Sequence, residues 1–309
     1  MKSVNGVSAI ILTKNEESNL PACLSSLKGW VGQIFVVDSG SSDGTVGICN
    51  DFGATVLTHD FETHSKQWQW ALDNLPIQTE WVLGLDADQV VTAQLCDEIC
   101  GFIQGPDGGD MEIGGAYLNR RQIFRGKWIR HGGYYPKYLL KLFRRGRVWS
   151  DPDDMVDHHF RAQGRTVKLS GDLIEDNQNE RDISVWIQKH NRYARLQALE
   201  EYRKENGLSH TDVAGRLMGA PDERIFWLKG MWARCPLYIR PLFYFTYRYV
   251  LRLGFLDGKQ GFIFHFLQAF WYRLLVDIHL DELRRNPKAA SVALSASNQT
   301  ASRIRSNSA

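Results

Sequence analysis

The stretch Trp81–Val91 reads WVLGLDADQVV, an apolar run that ends in two carboxylates one residue apart, Asp86 and Asp88. Side chains at i and i+2 of an extended chain fall on the same side, so the two acids share a face. Burying like charges that close is costly unless a cation, a proton or water compensates them. A pair of this kind has the oxygen chemistry to hold Mg²⁺ or Mn²⁺, ions that commonly keep phosphate oxygens in their shell. A chance turn with two hydrated aspartates gives the same pattern.

The elements that must position the pair alternate regularly. VSAIILT is a β-branched run, followed by KNEESNLPACLSSLKG with helical spacing at Leu20, Leu24 and Leu27. QIFVVD follows, then a Gly/Ser turn, a helix from Thr45 to Phe52, the strand ATVLTH, a helix around Ser65–Leu75, and WVLGLD. Strands that are apolar throughout, separated by helices, predict an α/β fold with a mostly parallel sheet covered on both faces. Ligands of such sheets bind outside the carboxyl ends of the strands. Three polar clusters fall there: Thr13-Lys14-Asn15-Glu16, the loop from Asp38 to Gly44, and Asp86-Ala87-Asp88. The DSGSSDG loop lacks both GxxxxGK[ST] and GxGxxG, which argues against a P-loop or dinucleotide site. An acid at the end of the second strand is placed to accept from ribose hydroxyls or a base N–H. A metal-bound diphosphate on a nucleotide accounts for all three clusters together.

Arg120 to Arg147 holds ten Lys/Arg and no acid. Arg120, Arg121, Arg125 and Lys127 lie just past the strand GAYLN, where they could embrace a diphosphate or a phosphorylated acceptor, with solvated charge as the alternative. A net charge of +2 and the lack of a recognised module argue against nucleic acid. The five cysteines form no CxxC and read as reduced, mostly packed thiols of a cytosolic setting, and no signal peptide is expected at the N-terminus.

Together, AIILTKNEE, VVDSGSSDGT and WVLGLDAD resemble the family 2 glycosyltransferases, whose nucleotide-binding fold is called GT-A. NRRQIFRGKWIRHGGYYPKYLLKLFRR is similar to the lipopolysaccharide-core and exopolysaccharide transferases of bacteria. The resemblance spans Val7 to Leu283. It implies that Thr13, Asn15 and Glu16 line a nucleotide pocket, that Asp38 contacts uridine, and that Lys66 is a basic group near the nucleotide, an exposed helix lysine being the alternative. It also implies that Asp86 and Asp88 form a DxD element for Mg²⁺ or Mn²⁺. Gln89 departs from the family, which usually carries an acid there. The catalytic carboxylate is expected in SDPDDMVDHHF, with Asp157 the best match and Asp153, Asp154 and His158 its competitors. Glu175, in SGDLIEDN, stands where relatives carry a metal-binding histidine, and Arg121 joins the nucleotide-binding set. The implied reaction is inverting, metal-dependent transfer of a hexose from a UDP-sugar to a lipid-linked saccharide. A non-catalytic scaffold of the same pathway is the alternative.

From Arg224 to Leu280 the chain is crowded with aromatics, without the run of about 20 uncharged apolar residues a membrane-spanning helix needs. Arg240, Arg248 and Arg252 recur at helical spacing, and His265, Gln268, Arg273, Asp277 and Asp281 form a polar stripe. Amphipathic helices of this composition suit a membrane interface, which the resemblance implies is the cytoplasmic face of the inner membrane, while a soluble helical subdomain or a homo-oligomer contact would look similar. The expected organisation is a transferase domain over residues 1–223, interfacial helices over 224–285 and a disordered tail over 286–309.

Overall fold

The computed structural model describes residues 6–150, 160–208, 232 and 234–288. The chain divides into two compact units, residues 1–186 and 187–309. This division falls ahead of the expected boundary at residue 223, because the long helix after the sheet supplies side chains to the core of the second unit.

In the first unit β1 (Val7–Thr13), β2 (Gln33–Asp38), β3 (Thr55–Thr58) and β4 (Trp81–Asp86) pair in parallel in the order β3-β2-β1-β4. The helices α1 (Leu20–Leu27), α2 (Thr45–Asp51) and α3 (His64–Asn74) connect them. Every residue of β1 is buried, as a strand covered on both faces requires. Strand alternation sorts the side chains into two cores. Val7, Ala9, Ile11, Leu83 and Leu85 pack with Leu24 of α1, while Ile10, Val37 and Val82 pack on the other face with Trp68 of α3.

The remainder is not a continuation of that parallel array. β5 (Gln89–Val91), α4 (Ala93–Gln104) and the single turn α5 (Pro106–Gly109) lead to β6 (Ile113–Phe124), β7 (Lys127–Trp128) and β8 (Tyr138–Arg144). β8 inserts antiparallel between β4 and β6, and β6 pairs in parallel with β11 (Arg165–Glu175). A two-stranded ribbon, β9 (Val148–Ser150) with β10 (Phe160–Ala162), packs separately. The chain leaves β1 towards β2 on one side and reaches β4 on the other. The crevice at the carboxyl ends of β1 and β4 is therefore the topological switch point, where such sheets bind ligands.

The second unit takes its share of α6 (Ile183–Glu205) together with α7 (Arg240–Thr246), α8 (Gly258–His265) and α9 (Tyr272–Arg285). Single π turns follow α7 and α8, at Tyr247–Leu251 and Phe266–Trp271. Ala194 and Ala198 of α6 pack with Tyr272, Val276 and Leu280 of α9. Arg240 is buried here, donating to Asp277 at 2.7 Å and Glu201 at 2.9 Å. Burial alone would lower its pKa, but the hydrogen bond to Asp277 and the charges of Glu201 and Asp277 lift it instead. Two sequence expectations change accordingly. Arg240 does not join Arg252 on an outward face, and two members of the polar stripe, His265 and Asp277, are fully buried while Gln268, Arg273 and Asp281 are half-buried. Among the described residues no helix is long and apolar enough to cross a membrane.

Candidate active site

The loops after β1 and β2 are laced together. Asn15 takes a left-handed backbone, φ 56°, and its N–H donates to Ser41 Oγ at 2.8 Å, while its side-chain oxygen accepts from Ser42 N–H at 2.8 Å. Glu16 N–H donates to Thr45 Oγ1 at 2.8 Å, and Glu17 accepts from Gly44 N–H at 2.8 Å. Asp38 organises the second loop. One oxygen accepts from Thr13 Oγ1 at 3.0 Å and Ser41 Oγ at 2.5 Å, and the other from the N–H groups of Gly40 and Ser41 at 2.9 and 2.8 Å. A carboxylate has about four lone-pair sites, so the acid expected on uridine is engaged by its own loop.

Asp86 ends β4, and Ala87-Asp88 forms the turn into β5. Lys141 of β8 donates to Asp86 Oδ2 at 2.9 Å, and His64 Nε2 lies 3.9 Å from Oδ1. Asp88 Oδ2 accepts from Asn177 Nδ2 at 3.0 Å. Asn177 begins a short segment that closes on the β1 loop as well: Asn19 accepts from Gln178 N–H at 2.7 Å, and Asn179 donates to the Asn15 carbonyl at 3.3 Å. Glu175 is placed otherwise than expected. Arg120 Nη1 holds one of its oxygens at 2.9 Å and Gln89 Nε2 the other at 2.9 Å. Among the described residues no group of three or more His, Cys, Asp or Glu is gathered to hold a metal, so Asp86, Asp88 and Glu175 do not form a ready-made cage.

Gln89 explains its own departure from the family pattern. Fully buried, it accepts from Asp86 N–H at 3.1 Å through Oε1 and donates to Glu175 through Nε2. An amide can do both, whereas an ionised carboxylate only accepts and would face the charge of Glu175.

The basic segment is largely committed to internal partners. Arg121 pairs with the buried Asp172 and stacks on Trp128, 4.6 Å from its ring centre. Asp172 also accepts from Asn119 at 2.7 Å and Tyr135 at 3.1 Å. Burial, and the Asp172 carboxylate it donates to, push the Tyr135 phenol up. Arg144 donates to the carbonyls of Ile113 and Gly108, and Arg145 and Arg147 to those of Ile77 and Met111. Lys66 pairs with Glu62 at 2.5 Å. The side chains brought to Asp86 are instead Lys141 and His64. A lysine amid the apolar positions of YLLKLFRR, in strand parity with Phe143, was the sequence signal for Lys141.

Asp153, Asp154, Asp157 and His158 lie outside the described residues. Both flanks of their segment are fixed. Ser150 pairs with Phe160, and its N–H donates to Gln69 of α3 at 3.0 Å. The Phe160 ring lies against Trp68, and so near Gly84 that a Cβ there would stand 3.2 Å from it. The chain therefore enters and leaves residues 151–159 beside the strand that ends in Asp86. A cavity of about 500 Å³ lies elsewhere, lined by Lys28, Gln33, Asp51 and Thr55 among others, and contains none of these groups.

This arrangement of polar loops at the switch point coincides with a match of residues 8–167, more than half of the chain, to the model described as Glycosyl transferase family 2. The chain belongs to glycosyl transferase family 2. Within the family it is 26% identical over 277 residues to the lipopolysaccharide core biosynthesis glycosyltransferase LpsC of Rhizobium meliloti (strain 1021), covering 85% of this chain and 90% of LpsC. It is 37% identical over 93 residues to an uncharacterized glycosyltransferase of Rickettsia felis, and spans only 32% of that relative's length. Among solved structures, S. aureus TarS 1-349 aligns over 91% of each chain at 13% identity and TM-score 0.38. Glucosyl-3-phosphoglycerate synthase of Mycobacterium tuberculosis, solved with Mn²⁺, UDP and glucosyl-3-phosphoglycerate, aligns over 39% of this chain and 44% of that one at 19% identity and TM-score 0.29.

Proposed function

We propose that this family 2 member is an inverting, metal-dependent glycosyltransferase. It would move a hexose from a UDP-sugar to a lipid-linked saccharide at the cytoplasmic face of a bacterial inner membrane, in lipopolysaccharide or related cell-surface polysaccharide synthesis. The observation that carries this is the placement of Asp86 and Asp88 at the switch point, with Phe160, which follows the acid-rich segment, packed against the strand that ends in Asp86. The likeness to LpsC over most of both chains supports the pathway.

The donor pocket is bounded by the loops that carry Thr13, Asn15, Glu16 and Asp38, with Asp38 acting through the loop shape it fixes. The acid pair fits a divalent cation: Mg²⁺ is usually held by one or two carboxylates plus substrate phosphates, so a third protein carboxylate is not needed. Mg²⁺ or Mn²⁺ held by Asp88, with Asp86 beside it, would neutralise charge on the diphosphate. Asp157 is the proposed base, with Asp154 and His158 beside it in sequence. It takes the proton of the acceptor hydroxyl as that oxygen attacks the anomeric carbon from the face opposite the leaving group. The bond to the diphosphate breaks and its electron pair leaves with the phosphate oxygen, which inverts the anomeric configuration.

For the membrane, Leu242, Phe243, Leu251, Phe255, Leu256 and Phe262 are exposed large apolar side chains of the second unit. Arg252 and Lys259 are exposed in the same stretch, whereas Asp257, the sole acid between Ile239 and Trp271, is buried. Apolar side chains with basic neighbours suit an anionic lipid surface. The overall test is UDP release across a panel of UDP-sugars with membrane extract as acceptor. Release with one donor that depends on the extract supports the proposal, and no release with any donor in Mn²⁺ or Mg²⁺ refutes it.

A further inference from the structure

We propose that Lys141 is a positioning residue of the donor site. It would be a resident buried cation that holds Asp86 and offsets half of the acid pair's charge, so that a nucleotide diphosphate keeps measurable affinity without a divalent ion. The inference rests on the donor-site reading of Asp86 and Asp88.

Register sets the geometry. β8 runs antiparallel to β4, and the pair Leu83–Leu142 puts position 141 beside Gly84, two residues before Asp86. The Lys141 side chain is 3% exposed, its ammonium 2.9 Å from Asp86 Oδ2 and 5.8 Å from the centre of the Trp68 ring. Parting a buried cation from its counter-charge is costly, so the contact constrains both partners. Lysine suits the task better than arginine, because its compact point charge reaches one oxygen and imposes no planar fork. Its neighbours in the basic segment are engaged elsewhere: Arg120 on Glu175, Arg121 on Asp172, Arg144 on backbone carbonyls. With Lys141 in place the pair carries one net negative charge, not two. That lowers repulsion of an incoming diphosphate and weakens the attraction of the empty pair for a bare cation.

These effects have opposite signs, which separates the role from a merely structural one. In full-length protein with Lys141→Met, UDP affinity in EDTA should fall about tenfold, the factor carried by about 1.4 kcal/mol. Affinity for Mn²⁺ alone, followed by electron paramagnetic resonance, should rise. Lys141→Arg should restore UDP binding towards the parent value, and Lys141→Gln serves if the methionine variant does not fold, as judged by thermal melting. Losing UDP and Mn²⁺ affinity together, or changing neither, would overturn the role of Lys141. A parent protein that binds UDP neither with Mn²⁺ nor in EDTA would overturn the donor-site reading itself, and this inference with it.

Discussion

Asn177 donates to Asp88 across 3.0 Å, so the segment after β11 sits on the second carboxylate of the acid pair. The same asparagine accepts from Asn19 at 3.3 Å, and its neighbour Gln178 donates to Asn19. The β1 loop, the Asp86–Asp88 turn and the segment after β11 are thus one polar unit. Glu175, two residues earlier, is turned instead towards Arg120 and Gln89.

If Asp88 holds the cation that meets the diphosphate, UDP should bind at least tenfold more tightly in Mn²⁺ or Mg²⁺ than in chelator, a difference of about 1.4 kcal/mol. Asp88→Ala should erase that difference while the protein stays folded, the lost contact with Asn177 lowering the melting temperature by only a few degrees. Isothermal titration in the two buffers checks both statements. Equal affinity for UDP in the parent protein would remove Asp88 from the metal role.

Asp157→Asn should preserve UDP binding and lower turnover by roughly two to four orders of magnitude, the contribution of a positioned general base. Asp154→Asn should remain near the parent rate. The converse pattern, a silent Asp157→Asn with an inactive Asp154→Asn, transfers the role to Asp154.

The parallel half of the sheet was legible because each strand is a short apolar run closed by turn residues, a signal local to a few positions. The position of Asp86 and Asp88 at the end of β4 was legible for the same reason. The partners of the cations were not. Arg120 and Arg121 read as an anion-facing patch, yet their acceptors, Glu175 and Asp172, lie some fifty residues further on in β11. Parallel pairing of β6 with β11 creates those contacts, and spacing along the chain carries no trace of it. Arg240 failed similarly, since helical spacing gives a face but not what covers that face.

Gln89→Glu should destabilise the protein by about 1–3 kcal/mol at neutral pH, the cost of losing a buried donor and facing Glu175 with a second carboxylate. Pairing it with Glu175→Gln restores one donor and one acceptor and should recover much of the loss. Urea unfolding of the single and double variants measures the coupling. Additive losses would show that Gln89 and Glu175 do not act as a pair.

Thiol chemistry gives a check on the first-unit core. Burial, with the charges of Asp88 and Asp86, pushes the Cys23 thiol up, and burial lifts Cys49 to about 11 and Cys96 to about 12. At pH 8 these three remain protonated and inaccessible, so a disulfide reagent should label the exposed Cys235 first. Reactivity of the buried thiols should appear only as pH rises towards their raised pKa values or as the protein unfolds. Fast labelling of Cys23 in folded protein at pH 8 would contradict the packing around Asp86.

Arg240 and Arg252 of the second unit differ in kind, one buried and one exposed, and that difference gives the sharpest test of the membrane proposal. Arg240 is 2% exposed and bridges Asp277 and Glu201, so Arg240→Gln leaves two acids without their cation inside the helical core. Breaking one side of such a buried pair costs about 3–5 kcal/mol, and the expected result is a lower melting temperature. Arg252 and Lys259 are exposed beside the apolar side chains, and replacing both by Gln should leave the melting temperature unchanged. That double variant should instead bind anionic vesicles more weakly, by about 1 kcal/mol for each charge removed, with the difference vanishing at high salt. Phe243→Ser with Leu251→Ser, at two of the most exposed apolar positions, should weaken binding to vesicles of any charge. Parent protein that stays in the supernatant with anionic vesicles at low salt would show that the exposed face meets protein and not lipid. The acceptor would then be sought among soluble saccharides.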